Sequence, residues 1–224
     1  MTHNDYIFAA EGDTVRLLRR FDEMYQKCAD PHGQSQELQR VDYQLVSVVL
    51  EKVVALFGGR TTPPRILDVG CGLGYFTAHM KSMFPRADVS GCDISVTATE
   101  KAGTRSPQCR FFPVDIKLSA ELPATEYDVL VALDVLYYFT DAEISEVTRN
   151  LHRLVASGGF LLVGYHLPRD MKFGRYITSL ADARRLLEPQ GFDFRLTWDV
   201  SNDLDLTYAG EPVGRHIYLL AQKR

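Results

Sequence analysis

A chain of 224 residues with 46% hydrophobic and 24% charged side chains has the composition of an ordinary soluble globular protein and is long enough for one α/β domain. Its formal net charge of −4 argues against nucleic acid as the main partner, because phosphate binding favours a basic face. No apolar run approaches the roughly 20 residues needed to cross a bilayer, so we expect no membrane segment.

Cysteine usage and the first residues indicate a compartment. The cysteines at positions 28, 71, 92 and 109 are scattered and do not have metal-ligand spacing. The N-terminus has neither the basic nor the apolar region of a signal peptide. We therefore predict a cytoplasmic protein with reduced thiols and no metal site.

The N-terminal quarter is predicted to be helical from about residue 13 to 57. Apolar side chains recur there at roughly helical spacing, namely Leu38, Val41, Leu45, Val48 and Leu56. Gly58-Gly59 and Pro63-Pro64 end the pattern. We assign residues 1–60 to a helical extension that closes as a lid and residues 61–224 to the main domain.

The main domain alternates strand and helix patterns. Strands are predicted at about 65–70, 87–93, 109–114, 127–133, 160–163, 192–198 and 217–220. Thr140 and Glu143 form a capping box before a helix whose buried stripe begins at Ile144. This alternation predicts a doubly wound α/β sheet.

The most informative motif follows the first of these strands. Asp68 precedes glycines at 70, 72 and 74, which let the backbone turn tightly and approach a ligand. This Gly-x-Gly-x-Gly spacing differs from the dinucleotide fingerprint and from the phosphate loop, which disfavours a nicotinamide-linked oxidoreductase. The motif resembles motif I of class I S-adenosylmethionine (SAM) methyltransferases, and the resemblance covers about 64–165. It implies a Rossmann-like, seven-stranded, mostly parallel sheet with a terminal antiparallel hairpin strand.

The same resemblance implies a cofactor site for SAM, with S-adenosylhomocysteine as product and no metal. Ligands of such sheets bind beyond the carboxyl ends of the strands. Asp68, Gly70, Gly72 and Gly74 would form the loop, and Asp93 would accept hydrogen bonds from both ribose hydroxyls, with Ile94 beside it in the cofactor site. Asp115 and Ile116 would hold the adenine, Leu133 would line the methionine moiety, and Arg40 would pair with the cofactor carboxylate.

A narrower resemblance concerns the acceptor. Val135-Leu136-Tyr137-Tyr138, Asp30-Pro31 and Glu37-x-x-Arg40 resemble elements of Nod-factor N-methyltransferases, which methylate an amino sugar of a chito-oligosaccharide. The chain departs from that group at two places. It has His32 where the group has Trp, and it has Tyr165-His166 where the group's pattern leads us to expect Ser-Ala. The motifs of DNA amino- and cytosine-methyltransferases are absent from the sequence.

We therefore expect methyl transfer to a small polar acceptor, with the amine of an amino sugar or specialised metabolite as the main interpretation. The alternatives are an O-methyltransferase that uses His166 as base and a SAM-binding partner or regulator without catalysis. His166, Asp134 and Tyr138 are the catalytic candidates. Tyr137, Arg169 and Arg175 are the substrate-binding candidates, the last two in a long polar loop. The oligomeric state stays open between monomer and homodimer.

Overall fold

The structure, a computed structural model, describes residues 4–11, 14–167, 177, 179–201 and 215–224. Its N-terminal region contains helix α1 (Asn4–Ile7), strands β1 (Phe8–Glu11) and β2 (Thr14–Leu17), and helices α2 (Phe21–Lys27), α3 (Gln34–Glu37) and α4 (Val41–Ala55). β1 and β2 form an antiparallel two-stranded sheet. The predicted helical region of about 13–57 thus contains three helices, but it begins with a strand, β2, rather than with a helix. Val15 is β-branched and pairs in the hairpin, and Gly33 adopts a left-handed conformation that separates α2 from α3.

A second sheet of seven strands forms the main domain. In chain order its elements are β3 (Arg65–Val69), α5 (Tyr75–Met83), β4 (Asp88–Asp93), α6 (Val96–Arg105), β5 (Arg110–Pro113), β6 (Tyr127–Leu133), α7 (Ile144–Leu154), β7 (Val155–Leu167), α8 (Leu180–Leu187), β8 (Phe192–Ser201) and β9 (Arg215–Lys223). The spatial order is β5-β4-β3-β6-β7-β9-β8. The first five of these strands are parallel, and β9 runs antiparallel to both β7 and β8. The predicted fold class is confirmed.

Helices cover both faces of this sheet. Val147, Leu151 and Leu154 of α7 pack in the core cluster of one face. On the other face, Val46 and Leu50 of α4 pack with residues of β3, β6 and β7. Both faces of β6 are thereby buried, which explains its almost wholly apolar sequence.

The apolar residues whose spacing predicted helix α4 are mostly not the residues that it buries. Val41, Leu45 and Val48 are exposed, whereas Tyr43 and Val46 are buried. Two faces of this helix carry apolar residues at three- and four-residue spacing, so periodicity identified the helix but not the face that meets the sheet. Among the described helices, none is long and apolar enough to span a bilayer.

Candidate active site

The loop after β3 needs glycine for conformational reasons. Gly70, Gly72 and Gly74 have φ angles of +71°, +51° and +75°, a region that residues with a Cβ atom rarely occupy. The amide of Gly70 donates to the carbonyl of Cys92 at 2.8 Å, so the loop is bonded to the end of β4. Asp68 lies buried below it and accepts a 2.6 Å hydrogen bond from Oγ1 of Thr77. Burial raises the pKa of Asp68 to about 7.

Asp93, at the end of β4, also binds this loop. Its Oδ2 accepts from the amide of Gly72 and its Oδ1 from the amide of Ser95, each at 2.9 Å. The side chain is buried, and this burial raises the pKa of Asp93 in spite of the two bonds. Ile94, the next residue, is 44% exposed. Asp93 therefore connects the glycine loop to the start of α6.

Asp115 and Ile116 follow β5. Oδ1 of Asp115 accepts from the amide of Lys117 at 3.0 Å. The side chain of Ile116 is buried in the core cluster that contains α7, and Nδ2 of Asn150 donates to its carbonyl at 2.9 Å. The backbone of this turn is thus bonded to α7.

Part of the N-terminal region packs directly over the glycine loop. Gln34 accepts from the amide of Leu73 at 2.8 Å through Oε1 and donates to the carbonyl of Cys71 through Nε2. Asp22 accepts from Oγ of Ser95 at 2.7 Å and from the amide of Thr97, and these bonds lower its pKa. Sequence patterns missed Gln34 and Asp22, because their partners lie far away in the chain.

The second part of the site lies at the ends of β6 and β7. Asp134 has a φ of +56°, a strained conformation for a residue other than glycine. Its amide donates to the carbonyl of Gly164 at 2.9 Å, and its Oδ2 lies 3.7 Å from Nε2 of His216. Burial alone would raise the pKa of Asp134, but His216, His166 and Arg40 together lower it to about 2. Asp134 is therefore a carboxylate at neutral pH.

His166 is neutral at physiological pH, and the charge of Asp134 acts on its ring. Its ring stacks on that of His216 with centroids 4.4 Å apart and an interplanar angle of 7°. Burial lowers the pKa of His166 to about 4 against the opposing charge of Asp134. In the part of the chain that the structure describes, buried Nε2 of His166 and Oδ1 of Asp134 have no hydrogen-bond partner. These two atoms are available to a bound molecule.

Arg40 reaches this centre from the N-terminal side. Its Nε and Nη2 both bond to the carboxylate of Asp42, at 3.1 and 2.6 Å, and Nη2 lies 3.1 Å from Nε2 of His216. Asp42 is wholly buried on the same helical face as Val46 and Leu50. A carboxylate on an apolar helical face is the sequence signal that could have identified it.

Two tyrosines and a glutamate complete the region. The hydroxyl of Tyr137 donates to that of Tyr138 at 3.3 Å, and the Tyr138 ring packs edge-on against Phe21 at 5.0 Å between centroids. Burial, then the charges of Asp134, Asp93 and Glu37, raise the pKa of Tyr138. Burial and Asp134 raise the pKa of Glu37 to about 8.

Ten of the predicted residues fall into two groups on either side of Tyr138, whereas Asp115 and Ile116 lie apart in the turn after β5. The first group, at the glycine loop, consists of Asp68, Gly70, Gly72, Gly74 and Asp93; the second, at the ends of β6 and β7, consists of Leu133, Asp134, Tyr137, His166 and Arg40. Arg169 and Arg175 lie outside the described residues. Within the described residues, no cluster of three or more His, Cys, Asp and Glu side chains is arranged to hold a metal ion.

This chain is similar in sequence to known methyltransferases. Residues 66–159 match the family model described as a methyltransferase domain. The chain is 27% identical over 180 residues to the ubiquinone biosynthesis O-methyltransferase of Vibrio cholerae serotype O1, which covers 78% of this chain and 69% of that one. It is 26% identical over 140 residues to the malonyl-[acyl-carrier protein] O-methyltransferase of Legionella pneumophila, covering 62% and 46%. The protein is a SAM-dependent methyltransferase.

Solved structures show the same fold for the methyltransferase. The magnesium protoporphyrin IX methyltransferase of Synechocystis PCC 6803 with bound SAM superposes with a TM-score of 0.61 at 22% identity, covering 84% of this chain and 83% of that one. The [4+2]-cyclase SpnF superposes with a TM-score of 0.57 at 20% identity, over 77% and 80%. The class I methyltransferase prediction is confirmed, and the curated relatives above are O-methyltransferases rather than Nod-factor N-methyltransferases.

The polar groups of the methyltransferase fit its cofactor chemically. SAM carries a sulfonium and an ammonium together with one carboxylate. Asp93, Asp134 and Glu37 supply acidic groups around Tyr138, and Arg40 supplies a guanidinium beside them. The unpartnered Oδ1 of Asp134 is an acceptor of the kind that a cationic ligand requires.

Proposed function

We propose that this methyltransferase transfers a methyl group to a hydroxyl of a small polar acceptor, with His166 as general base. One observation carries the proposal. Nε2 of His166 is buried without a partner among the described residues, and the carboxylate of Asp134 is close enough to act on the pKa of this ring. O-methylation by the curated relatives supports oxygen over nitrogen as the acceptor atom.

In this proposal SAM lies between Asp93 and Asp134, along the carboxyl ends of the strands. Asp93 and Ile94 hold the ribose, Asp115 and Ile116 the adenine, and Leu133 and the glycine loop the methionine moiety. Arg40 pairs with the cofactor carboxylate. The acidic groups around Tyr138 and the position of the strand ends support this arrangement.

In this reaction the protein has to position the acceptor hydroxyl and to accept one proton. The sulfonium of SAM supplies the methyl group. His166 is neutral at physiological pH, and in the tautomer with its proton on Nδ1 its Nε2 accepts a hydrogen bond from the acceptor hydroxyl. A base with a pKa of about 4 cannot deprotonate a hydroxyl on its own to a useful extent. The proton therefore moves to His166 at the same time as the methyl group moves to the oxygen. Asp134 then stabilises the imidazolium.

Tyr137 and Tyr138 have a positioning task in this mechanism. Their hydroxyls are joined at 3.3 Å and their rings are held by aromatic packing, so they present a fixed wall to the acceptor. Burial raises the pKa of both phenols, which keeps them neutral donors. They orient the acceptor and exclude water.

A specific observation supports a second candidate, methylation of an amine. Oδ1 of Asp134 is buried and unpartnered among the described residues, and a carboxylate there can accept from an attacking amine. In that case the neutral amine attacks and His166 contributes little. The Val135–Tyr138 resemblance supports this candidate, whereas the O-methyltransferase relatives do not.

One experiment separates the two. The protein is offered SAM with a panel of hydroxylated sugars, phenols, hydroxy acids and amino sugars, and S-adenosylhomocysteine and the product mass are measured. We expect an O-methyl product and a decrease of kcat by roughly 10²–10⁴-fold in His166→Ala. His152→Ala, on α7, is the matched control. An N-methyl product formed equally well by His166→Ala would establish the amine candidate instead.

We also propose that residues 1–60 act as a lid over the cofactor. The contacts of Gln34 with the glycine loop and of Asp22 with the start of α6 support this role. The ion pair of Arg19 with Glu143, which is bidentate, adds a third attachment.

A further inference from the structure

The acceptor end of the site comprises Asp134 and His166 at the ends of β6 and β7. His216 also belongs to it, although no motif drew attention to this residue. It lies on β9, directly across from His166 on β7 in the antiparallel ladder. The side chain is 1% exposed, and its ring covers one face of the His166 ring in a nearly parallel stack. The fold thus gives the candidate base a flat neighbour.

Three charged side chains hold the His216 ring in turn. Nη2 of Arg40 lies 3.1 Å from its Nε2, Oδ2 of Asp134 lies 3.7 Å from the same nitrogen, and Oδ2 of Asp42 lies 3.8 Å from its Nδ1. Asp42 is itself fixed by the hydroxyl of Tyr218 at 2.7 Å. Contacts at both ring nitrogens restrict rotation of this imidazole.

The orientation of a histidine ring is not set by its own torsions. The terminal χ2 torsion of histidine is broad, so neighbouring groups must select the ring plane. Nε2 of His166 makes no hydrogen bond with the described residues, so another contact must fix the orientation of the His166 ring. Stacking on the clamped His216 ring supplies that contact.

We propose that His216 is a positioning residue for His166, holding the imidazole plane so that Nε2 faces the acceptor hydroxyl. This inference rests on the proposed function, in which His166 is the base. His216 touches neither acceptor nor cofactor in this role. Its effect on catalysis passes through His166 alone.

The charges around His166 also affect its protonation state, in a direction that suits a base. Burial, His216 and Arg40 lower the pKa of His166, whereas Asp134 and Asp42 raise it. The net effect keeps His166 neutral, and His216 thus contributes to the protonation state as well as to the ring plane.

The test compares two substitutions of His216, one that keeps ring stacking on His166 and one that keeps only a polar side chain. His216→Phe keeps a flat ring, and His216→Gln keeps a polar group without one. We expect kcat to fall by less than about threefold in the Phe variant and by more than about tenfold in the Gln variant, with SAM affinity from calorimetry within threefold in both. His152→Phe controls for the introduction of a phenylalanine. Equal kcat in both variants, or greater loss in the Phe variant, would overturn the proposal.

A double-mutant cycle gives the readout that a merely structural role does not produce. In a His166→Ala background, His216→Gln should have no further effect on kcat, because the residue being positioned is gone. The same tenfold decrease in that background would contradict the proposal.

A spectroscopic measurement requires neither activity nor a folded variant. In the wild-type, ligand-free protein, ¹⁵N-histidine NMR should show a single fixed tautomer of His166 that does not titrate between pH 5 and 8. A His166 ring that exchanges tautomers would refute positioning, whereas absence of methyl transfer to every acceptor with this NMR result intact would refute only the proposed function.

Discussion

The hydroxyl of Tyr218 donates a 2.7 Å hydrogen bond to the buried carboxylate of Asp42, joining the first turn of α4 to the last strand of the sheet. Asp42 also accepts from Arg40 and is wholly buried. A buried carboxylate with two such partners fixes the N-terminal region to the acceptor end. It also means that the loss of Asp42 removes the carboxylate that Arg40 and the Tyr218 hydroxyl both bind.

Asp42→Ala should therefore destabilise the protein far more than Tyr218→Phe does. Removing one partner of a buried ion pair costs about 3–5 kcal/mol, whereas losing one hydrogen bond costs about 1 kcal/mol. Urea unfolding followed by circular dichroism measures both values. Equal and small losses would show that Arg40 is accommodated by other groups.

Asp93→Ala should weaken SAM binding by more than tenfold in calorimetry. The substitution removes two proposed charge-assisted bonds to the ribose, each worth on the order of 1.5–3 kcal/mol. Asp128→Ala is the matched control, because Asp128 is also buried and accepts from the amide of Arg65 at 2.8 Å, but at the opposite end of the sheet. If both variants bind SAM alike, the ribose assignment is wrong.

The rate should depend on pH according to the state of His166. Its pKa of about 4 means that the neutral base is present above that pH and is lost as the pH falls through it. We expect kcat/KM to stay flat on the acid side down to about pH 5, whereas a histidine with an ordinary pKa of about 6.5 would already reduce it at pH 6. In His166→Gln the acidic limb should disappear. A wild-type limb near pH 6.5 would contradict the buried neutral base.

Glu37 should make stability depend on pH in the opposite way from an ordinary carboxylate. Its folded pKa of about 8 lies above its ordinary value of 4.5, so the native state keeps a proton that the unfolded chain releases between these values. The free energy of unfolding should therefore fall as the pH rises from about 5 to 8, and Glu37→Gln should remove this fall. Glu51→Gln, on the exposed part of α4, is the matched control, and urea titrations at pH 5 and 8 measure the difference.

Gln34→Ala tests the lid. The side chain bonds to the backbone of Leu73 and Cys71, and its loss should loosen the N-terminal region over the glycine loop. We expect faster hydrogen exchange in α2 and α3 and SAM affinity lowered by about threefold to tenfold, which corresponds to one hydrogen bond. Gln44→Ala, on the exposed face of α4, should change neither. Exchange in these helices that is unaffected by both SAM and Gln34→Ala would count against a lid.

Local patterns were sufficient to predict the fold class and the glycine loop. Alternating strand and helix periods, the buried run of β6 and the glycines with positive φ depend on neighbours within a few residues, so sequence alone carries that information. The same holds for the acidic residues at strand ends, because parallel strands place their carboxyl ends along one edge. Helix periodicity was weaker evidence, since α4 carries apolar residues on two faces and the hairpin of β1 and β2 interrupts the predicted helical region.

The acceptor end depended on tertiary structure. His216 faces His166 only because β9 runs antiparallel to β7 in that register. Arg40, at the start of α4, reaches His216 from 176 residues away in the chain. No spacing rule connects residues so distant, because their approach is set by the packing of α4 on the sheet. The pKa values of His166 and Glu37 follow from the same packing, since burial removes water from side chains whose sequence neighbours are unremarkable. Sequence alone therefore determined a SAM-binding α/β fold, and tertiary packing decided which side chains meet at the acceptor end.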